Sequence, residues 1–296
     1  MVDISRATTG VYLPAEISGE IWATAVESSV VMQAARRINL PGAGVNIPII
    51  TGDPTADWVA ETAHKPVSRP TLDNKTITAY KLAVIVPFSD EFRRDKAALY
   101  GEIARRVPAA LGKKFDETVF AATGAPGSNF DQLGTAAQLT VDGTNTYQDL
   151  VAVYNAVASG GGDLTHWIAS PALQGLLLSA TDGFGRPLFT PDATTSNRVG
   201  SMLGRPILGT RTALPTSTTV GDDTGVAGDF AGSAVWGSVE GVKVSFSDQA
   251  TLNDGGTPLY LWAQNMFAVR AEIEVGFRVR DLDHFIRITD GAVDTP

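Results

Sequence analysis

The feature that most limits how this chain can fold is an under-supported β ribbon near its start. Val45-Asn46-Ile47-Pro48-Ile49 alternates apolar and polar residues, and its proline marks an edge strand. Residues 76–82 alternate again and run into Ala83-Val84-Ile85-Val86, which has no polar face. Between these segments, residues 51–73 are rich in Pro, Asp, Thr and Ser, with Trp58 and Val59 as the main large apolar groups. Such an excursion has too little apolar content for a core of its own, and an isolated two-stranded ribbon is marginal in water. The ribbon therefore needs support. Two arrangements provide it: a long hairpin folded back on its own domain, or a ribbon lying on another subunit.

A long helix follows. Ser89 reads as its cap, with Asp90 and Glu91 complementing the positive end of the helix dipole. Leu99, Ile103, Val107, Leu111, Phe115 and Val119 then recur at intervals of four. Each such step overshoots a full turn by about 40°, so the apolar stripe winds around the helix. A helix of this kind changes packing partner along its length or bends, and Pro108 marks a place to bend. From residue 90 to 122 it would be about 50 Å long, which suits a structural spine.

The remaining elements mix. Ile17, Ile21, Trp22, Val26 and Val30 have helical spacing, and Pro41-Gly42-Ala43-Gly44 closes that segment. Tyr147, Leu150, Val151, Tyr154, Val157 and Ala158 read as one face of a helix stopped by Gly160-Gly161-Gly162. Residues 164–169 read as a strand, and Ser170-Pro171 opens another helix. Residues 182–204 read as a punctuated loop and 216–228 as a polar surface loop. Further strands are expected at 234–238, 242–246, 259–262 and from 267 to 288. Without regular βαβ alternation the fold class is α+β. The spine helix and the final strands are expected to pack together, leaving 146–257 as an inserted second domain.

Familiar catalytic patterns are missing. The chain has no cysteine, and His64, His166 and His284 lie far apart in sequence. Asp281-Leu282-Asp283-His284 is the one local acid–histidine cluster, and on a strand its histidine would point away from its acids. No phosphate loop or nucleophile elbow occurs. The reading is no catalytic residue, no cofactor, no metal, and hence no enzyme. A net charge of −9, from 32 acidic and 23 basic residues, argues against sequence-specific DNA binding. No apolar run approaches the roughly 20 residues needed to span a bilayer, and no signal peptide is readable, so a soluble, cytosol-made protein without membrane contact is expected. Of the five tryptophans, Trp22, Trp167, Trp236 and Trp262 read as core packing. Trp58 stands apart in the polar loop and is the candidate for contact with another subunit.

Four segments resemble the major capsid proteins of tailed bacteriophages, a fold shared with encapsulins. Trp58-Val59-Ala60-Glu61-Thr62-Ala63-His64-Lys65-Pro66 resembles the tip of that family's extended loop, and Val86-Pro87-Phe88-Ser89-Asp90-Glu91 its return into the spine helix. His166-Trp167-Ile168-Ala169-Ser170-Pro171, Gly185-Arg186-Pro187-Leu188 and Leu203-Gly204-Arg205-Pro206 resemble the axial domain. Asn265-Met266-Phe267-Ala268-Val269-Arg270-Ala271-Glu272, with Phe277-Arg278-Val279-Arg280-Asp281, resembles the closing strands of the peripheral domain. The resemblance implies an N-terminal arm and short helix over 1–44, an extended loop over 45–88 and a peripheral domain with its spine helix over 89–145. An axial domain over 146–257 and closing peripheral strands over 258–296 complete it.

The resemblance also implies hexamers and pentamers of the chain, closed into an icosahedral shell around double-stranded DNA held without sequence specificity. A portal protein, a separate scaffolding protein and decoration proteins are the implied partners, with assembly in the host cytoplasm and residence in the virion capsid. An acidic wall suits such a container, because it would not trap DNA that must enter and leave. Some relatives weld subunits through a lysine–asparagine isopeptide bond promoted by a glutamate. Asn265 and Glu272 match the latter two positions, and Lys65 or Lys75 would be the loop lysine. Two other readings accompany this one: an encapsulin-like shell around an enzyme cargo, and a hydrolase or carbohydrate-binding protein with dispersed site residues.

Overall fold

The computed structural model describes residues 25–26, 29–42, 44–52, 54–62, 64–69, 71–91, 96–141, 145–181, 198–210, 214 and 223–290. Its helices are α1 (Val30–Ala34), α2 (Lys96–Val119), α3 (Thr146–Ser159), α4 (Pro171–Ser179) and α5 (Phe230–Ser233). Its strands are β1 (Arg36–Asn39), β2 (Val45–Gly52), β3 (Thr71–Ile77), β4 (Tyr80–Ser89), β5 (Ala137–Val141), β6 (His166–Ala169), β7 (Arg198–Met202) and β8 (Arg205–Gly209). They continue with β9 (Asp223–Gly228), β10 (Ala234–Ser238), β11 (Lys243–Ser247), β12 (Thr251–Asp254), β13 (Thr257–Tyr260), β14 (Met266–Val279) and β15 (Phe285–Asp290).

Strand β14 organises the first body. Its residues alternate, burying Phe267, Val269, Ala271, Ile273, Val275, Phe277 and Val279. One edge pairs with β4 along nearly its whole length, from Met266↔Ser89 to Val275↔Tyr80. The other pairs first with β11 and then with β10, and β1 runs parallel outside β10. Helix α2 covers the apolar face through Val107, Leu111, Phe115 and Val119, all buried. Phe115 wedges edge-on between Phe130 at 6.1 Å and Phe277 at 6.3 Å.

The helix is shorter than expected. Residues 80–89 complete the pairing with β14, and the Ser89 hydroxyl accepts from the Glu91 amide in a turn instead of capping the helix. The helical segment has 24 residues, about 36 Å, and passes through Pro108 without interruption. The side chains of Leu99 and Ile103 lie outside the described residues, as do Ile17, Ile21, Trp22 and the Gly185–Leu188 string.

The second body is a six-stranded sheet in the order β5-β15-β9-β6-β8-β7. Alternating residues of its strands face two different cores: Trp167 and Ala227 pack with α3 and α4, whereas Ile168 and Val226 face the core of the first body. Three expectations need correction here. Residues 223–228 form a buried inner strand, not a surface loop. The strands of 146–257 are not one unit, since β10 and β11 belong to the first sheet, and β15 leaves the closing strands for the second. The buried face of α3 is Leu150, Val153 and Val157, with Tyr147 exposed. The Ser170 cap and proline-opened α4 are as expected, the Ser170 hydroxyl accepting from the Leu173 amide.

The polar look of β9 comes from small residues that close packing demands. A Cβ on Gly225 would lie 2.6 Å from Leu173 Cδ2 and 2.8 Å from the Ile168 carbonyl oxygen. Gly225→Ala is expected to cost about 1–3 kcal/mol of stability by overpacking, read by denaturant unfolding of the unassembled subunit.

The segment before β1 is seated by one buried acid. Asp116, on α2, accepts from the Ser29 hydroxyl at 2.5 Å and from the amides of Val30 at 2.9 Å and Val31 at 3.4 Å. Trp236 holds the middle of α1, donating to the Met32 carbonyl at 3.2 Å. Burial pushes the Asp116 carboxyl from the ordinary 3.8 up to about 7, although those three donors pull it down. The folded chain therefore keeps a proton that the unfolded chain releases. This contribution to stability is complete below the unfolded value and is lost as pH rises through the folded one. Between pH 5 and pH 8 the subunit is expected to lose about 3 kcal/mol from this source. Asp116→Asn should flatten that slope; denaturation midpoints across the range measure it.

Candidate assembly interface

The ribbon is rooted in its own subunit and leaves it at the tip. β2 and β3 pair antiparallel from Val45↔Ile77 to Gly52↔Thr71, and Ile77 is buried. The root is stapled to the end of β14. Lys75 Nζ donates to the carbonyls of Val279 at 2.9 Å and Arg280 at 3.0 Å. Arg278 donates through Nε to the Thr76 carbonyl at 2.9 Å and through Nη1 to Asp131 Oδ1 at 2.6 Å. Gly276 permits the crossing, because a Cβ there would meet the Thr78 carbonyl oxygen at 2.3 Å.

Beyond Gly52 the described residues run without regular structure to Arg69. The Ser68 hydroxyl ties the two limbs, accepting from the Thr55 amide at 2.9 Å. Trp58 is fully exposed and Val67 is 84% exposed. Water surrounds an indole that, buried, would remove one of the largest apolar areas a side chain offers. A second ribbon, β12–β13, forms its own two-stranded sheet with its turn at Gly255-Gly256, and at its root Tyr260 and Trp262 are exposed, the latter 75%. The expectation of a core role for Trp262 is thus corrected, while Trp167 and Trp236 are buried, with their indole N–H groups satisfied by the carbonyls of Met202 and Met32. Sequence reading missed Trp262 because Leu259-Tyr260-Leu261-Trp262 is an uninterrupted apolar run, as a buried strand would be.

The four cross-link candidates are not brought together within one subunit. Lys65 is exposed on the loop, and Lys75 is engaged at its root. Asn265 precedes β14 with a positive φ of 50°, a conformation asparagine tolerates, and its carbonyl accepts from the Asp90 amide. Glu272 lies seven residues further along extended chain, about 20 Å away, and pairs with Arg270 at 3.3 Å.

The acid–histidine cluster takes a different form from the strand expected. Residues 282–284 make a single 3-10 turn, the Asp281 carboxylate accepts from the Asp283 amide, and His284 turns inward to the Ser233 hydroxyl. Among the described residues, no three His, Asp or Glu side chains gather as metal ligands. No described helix is long and apolar enough to cross a membrane. What the described surface offers is large apolar groups on the loop beyond β2–β3 and at the root of β12–β13.

Known proteins point the same way. Residues 9–290 match the phage capsid family. The chain is 34% identical over 295 residues to the "Probable major capsid protein gp17" of Mycobacterium phage L5, covering 94% of this chain and 89% of that one. A protein of the same description from Mycobacterium phage D29 is 31% identical over 292 residues, covering 94% and 90%. Among solved structures, one from Mycobacterium phage Bobi superposes with a TM-score of 0.71 at 24% identity, covering 90% of this chain and 91% of that one. Another, described as the capsid of an empty GTA particle computed with C5 symmetry, gives 0.68 at 15% identity, covering 99% and 95%. The encapsulin-like and hydrolase or carbohydrate-binding alternatives are not favoured by these matches. A mixed α+β fold built on one long helix, a hairpin that carries an exposed tryptophan beyond its paired strands, and these relatives together establish that the chain belongs to the phage capsid family and is a major capsid protein of the tailed-phage fold.

Proposed function

We propose that the chain acts by assembly rather than catalysis, forming hexamers and pentamers that close into an icosahedral shell around double-stranded DNA. The observation that carries this reading is the loop tip. Trp58 and Val67 lie in water at the end of a hairpin whose root alone is supported by its own subunit. Partners beyond the chain itself are a portal protein, a separate scaffolding protein and decoration proteins, with assembly in the host cytoplasm. Electron microscopy of the purified chain tests the shell directly: closed particles of megadalton mass are expected, and a monodisperse monomer at assembly concentrations would sink the proposal.

Trp58 is proposed as an anchor on an adjacent subunit. Truncating a buried aromatic anchor costs about 2–4 kcal/mol at an interface, whereas an exposed side chain contributes within about 0.5 kcal/mol to folding. Trp58→Ala is therefore expected to raise the concentration needed for shell formation about 30-fold or more, with the unfolding midpoint of the unassembled subunit unchanged. A fall in that midpoint would place Trp58 in an internal core.

A covalent weld through Lys65 or Lys75 with Asn265 and Glu272 is not part of this proposal. It would join Lys Nζ to the Asn265 side-chain carbon and release ammonia. The Lys75 ammonium is already held by two carbonyls and Glu272 by Arg270, which supports shells without such bonds. Denatured shells are expected to give only the monomer mass, and a ladder of multiples would establish the link.

A further inference from the structure

The ribbon β12–β13 closes in a two-residue turn. Asp254 pairs with Thr257 across it, and Gly255 and Gly256 form it with φ of 59° and 97°. Both values lie in the left-handed region, so the turn depends on two consecutive glycines. Asn253 Oδ1 accepts from the Gly256 amide at 2.8 Å. The Gly255 amide has no acceptor among the described residues. A Cβ on either glycine would meet nothing within 4 Å, so the turn stands in open space. Asp254 is exposed, and its carboxyl has no partner among the described residues.

An aspartyl side chain carries its carboxyl carbon where the next amide nitrogen can close a five-membered ring on it, with the rate advantage of a reaction within one chain. Three things ordinarily hold that closure back: a side chain on the following residue, an amide engaged as a donor, and a carboxyl held by partners. None is present at Asp254. We propose that Asp254 is a site of spontaneous isomerisation, where the chain passes from the α- to the β-carboxyl through a cyclic imide formed with Gly255. The Gly255 nitrogen bonds to Asp254 Cγ, the Cγ–OH bond breaks, and the hydroxyl leaves with the amide proton as water. Water then adds to one imide carbonyl and breaks its C–N bond. Addition at the main-chain carbonyl leaves an isoaspartyl linkage, and addition at Cγ restores aspartate. No oxidation state changes, and water is the only co-reactant.

The isoaspartyl form puts one extra methylene into the main chain. A two-residue turn has no slack for it, because its length fixes the register of the strands it joins. The pairs from Asp254↔Thr257 back to Thr251↔Tyr260 then lose their alignment. These two strands form a sheet of their own, so no third strand holds them in place, and a lone ribbon is marginal in water. Isomerisation therefore loosens the ribbon from its tip. Asp–Gly pairs also occur at 142–143, 182–183 and 290–291, each including a residue outside those described.

The inference goes beyond the shell reading and stands whether or not shells form. Its test is prolonged warm incubation of the purified full chain at mildly acidic pH, followed by tryptic mapping. The peptide of residues 244–270, cut at Lys243 and Arg270, contains Asp248 and Asp254 as its only aspartates. A second species of unchanged mass is expected, preceded by one lighter by a single water, with fragmentation placing the isoaspartate at 254. Its fraction should exceed several-fold that at the exposed Asp57 and Asp163, which are followed by Trp58 and Leu164. Asp254→Glu should abolish it, since the ring would need a sixth member. Asp254→Asn takes the same route with ammonia leaving in place of water, and should yield aspartate and isoaspartate at 254. Hydrogen exchange over 251–260 should quicken in the isomerised chain. Ageing at Asp254 no faster than at Asp57 and Asp163 overturns the inference, as does an Asp254→Asn chain that keeps its amide; either result means that the pairing with Thr257 holds the turn too firmly to cyclise. Unchanged exchange in a chain that carries the isoaspartate overturns the loss of register.

Discussion

Everything in the first body hangs from the pairing of β14. Its 14 residues bond to β4 on one side and to β11 and β10 on the other, and its alternation turns seven apolar side chains toward α2. Through β10 it holds β1, through β4 the return of the ribbon, and through the carbonyls of Val279 and Arg280 the ribbon's root. A strand paired on both edges over this length resists sliding, because a one-residue slip would exchange Phe267, Ile273 and Phe277 for Arg270, Glu272 and Glu274 on the core face.

Such rigidity is useful in a subunit that works through its projections. The ribbon is set by a stiff root and carries its apolar residues beyond the reach of its own core. The segment before β1 is fixed differently, by Asp116 at the start of α1 and Trp236 at its middle residue, two buried polar contacts from separate elements. Removing a partner from a buried group of this kind costs more than the bond itself contributes, because the remaining group is left unsatisfied. The two sheets also share a core, since inner strands of the second turn Ile168 and Val226 toward the first. A disturbance at β9 therefore reaches both bodies.

Much of this was legible in the chain. The alternation of 45–49 and 76–86 announced a ribbon, its polar interval announced a poorly supported tip, and the four-residue stripe announced the spine. What misled were residues whose role depends on a distant partner. Thr224 and Gly225 look like loop residues until Leu173 and Ile288 are seen against them. Ser89, Asp90 and Glu91 look like a helix start until β14 claims the strand through Ser89. Asp116, a carboxylate inside an amphipathic helix, carries no sign that three donors await it from residues 85 to 87 positions earlier.

The sequence by itself determined the periods: which stretches extend, which wind, and where apolar content is too thin to close a core. These are local, because side-chain spacing along the backbone sets them before any long-range contact forms. Only the tertiary structure decided which strands share a sheet and which charges meet. It drew β10 and β11 to β14, sent β15 to the other sheet, and set Arg278 against Asp131 and Lys75 against the carbonyls of Val279 and Arg280. The physical reason is that strand pairing and the pairing of charges are satisfied across space, by groups far apart in the chain, so no single stretch of residues records its own partners.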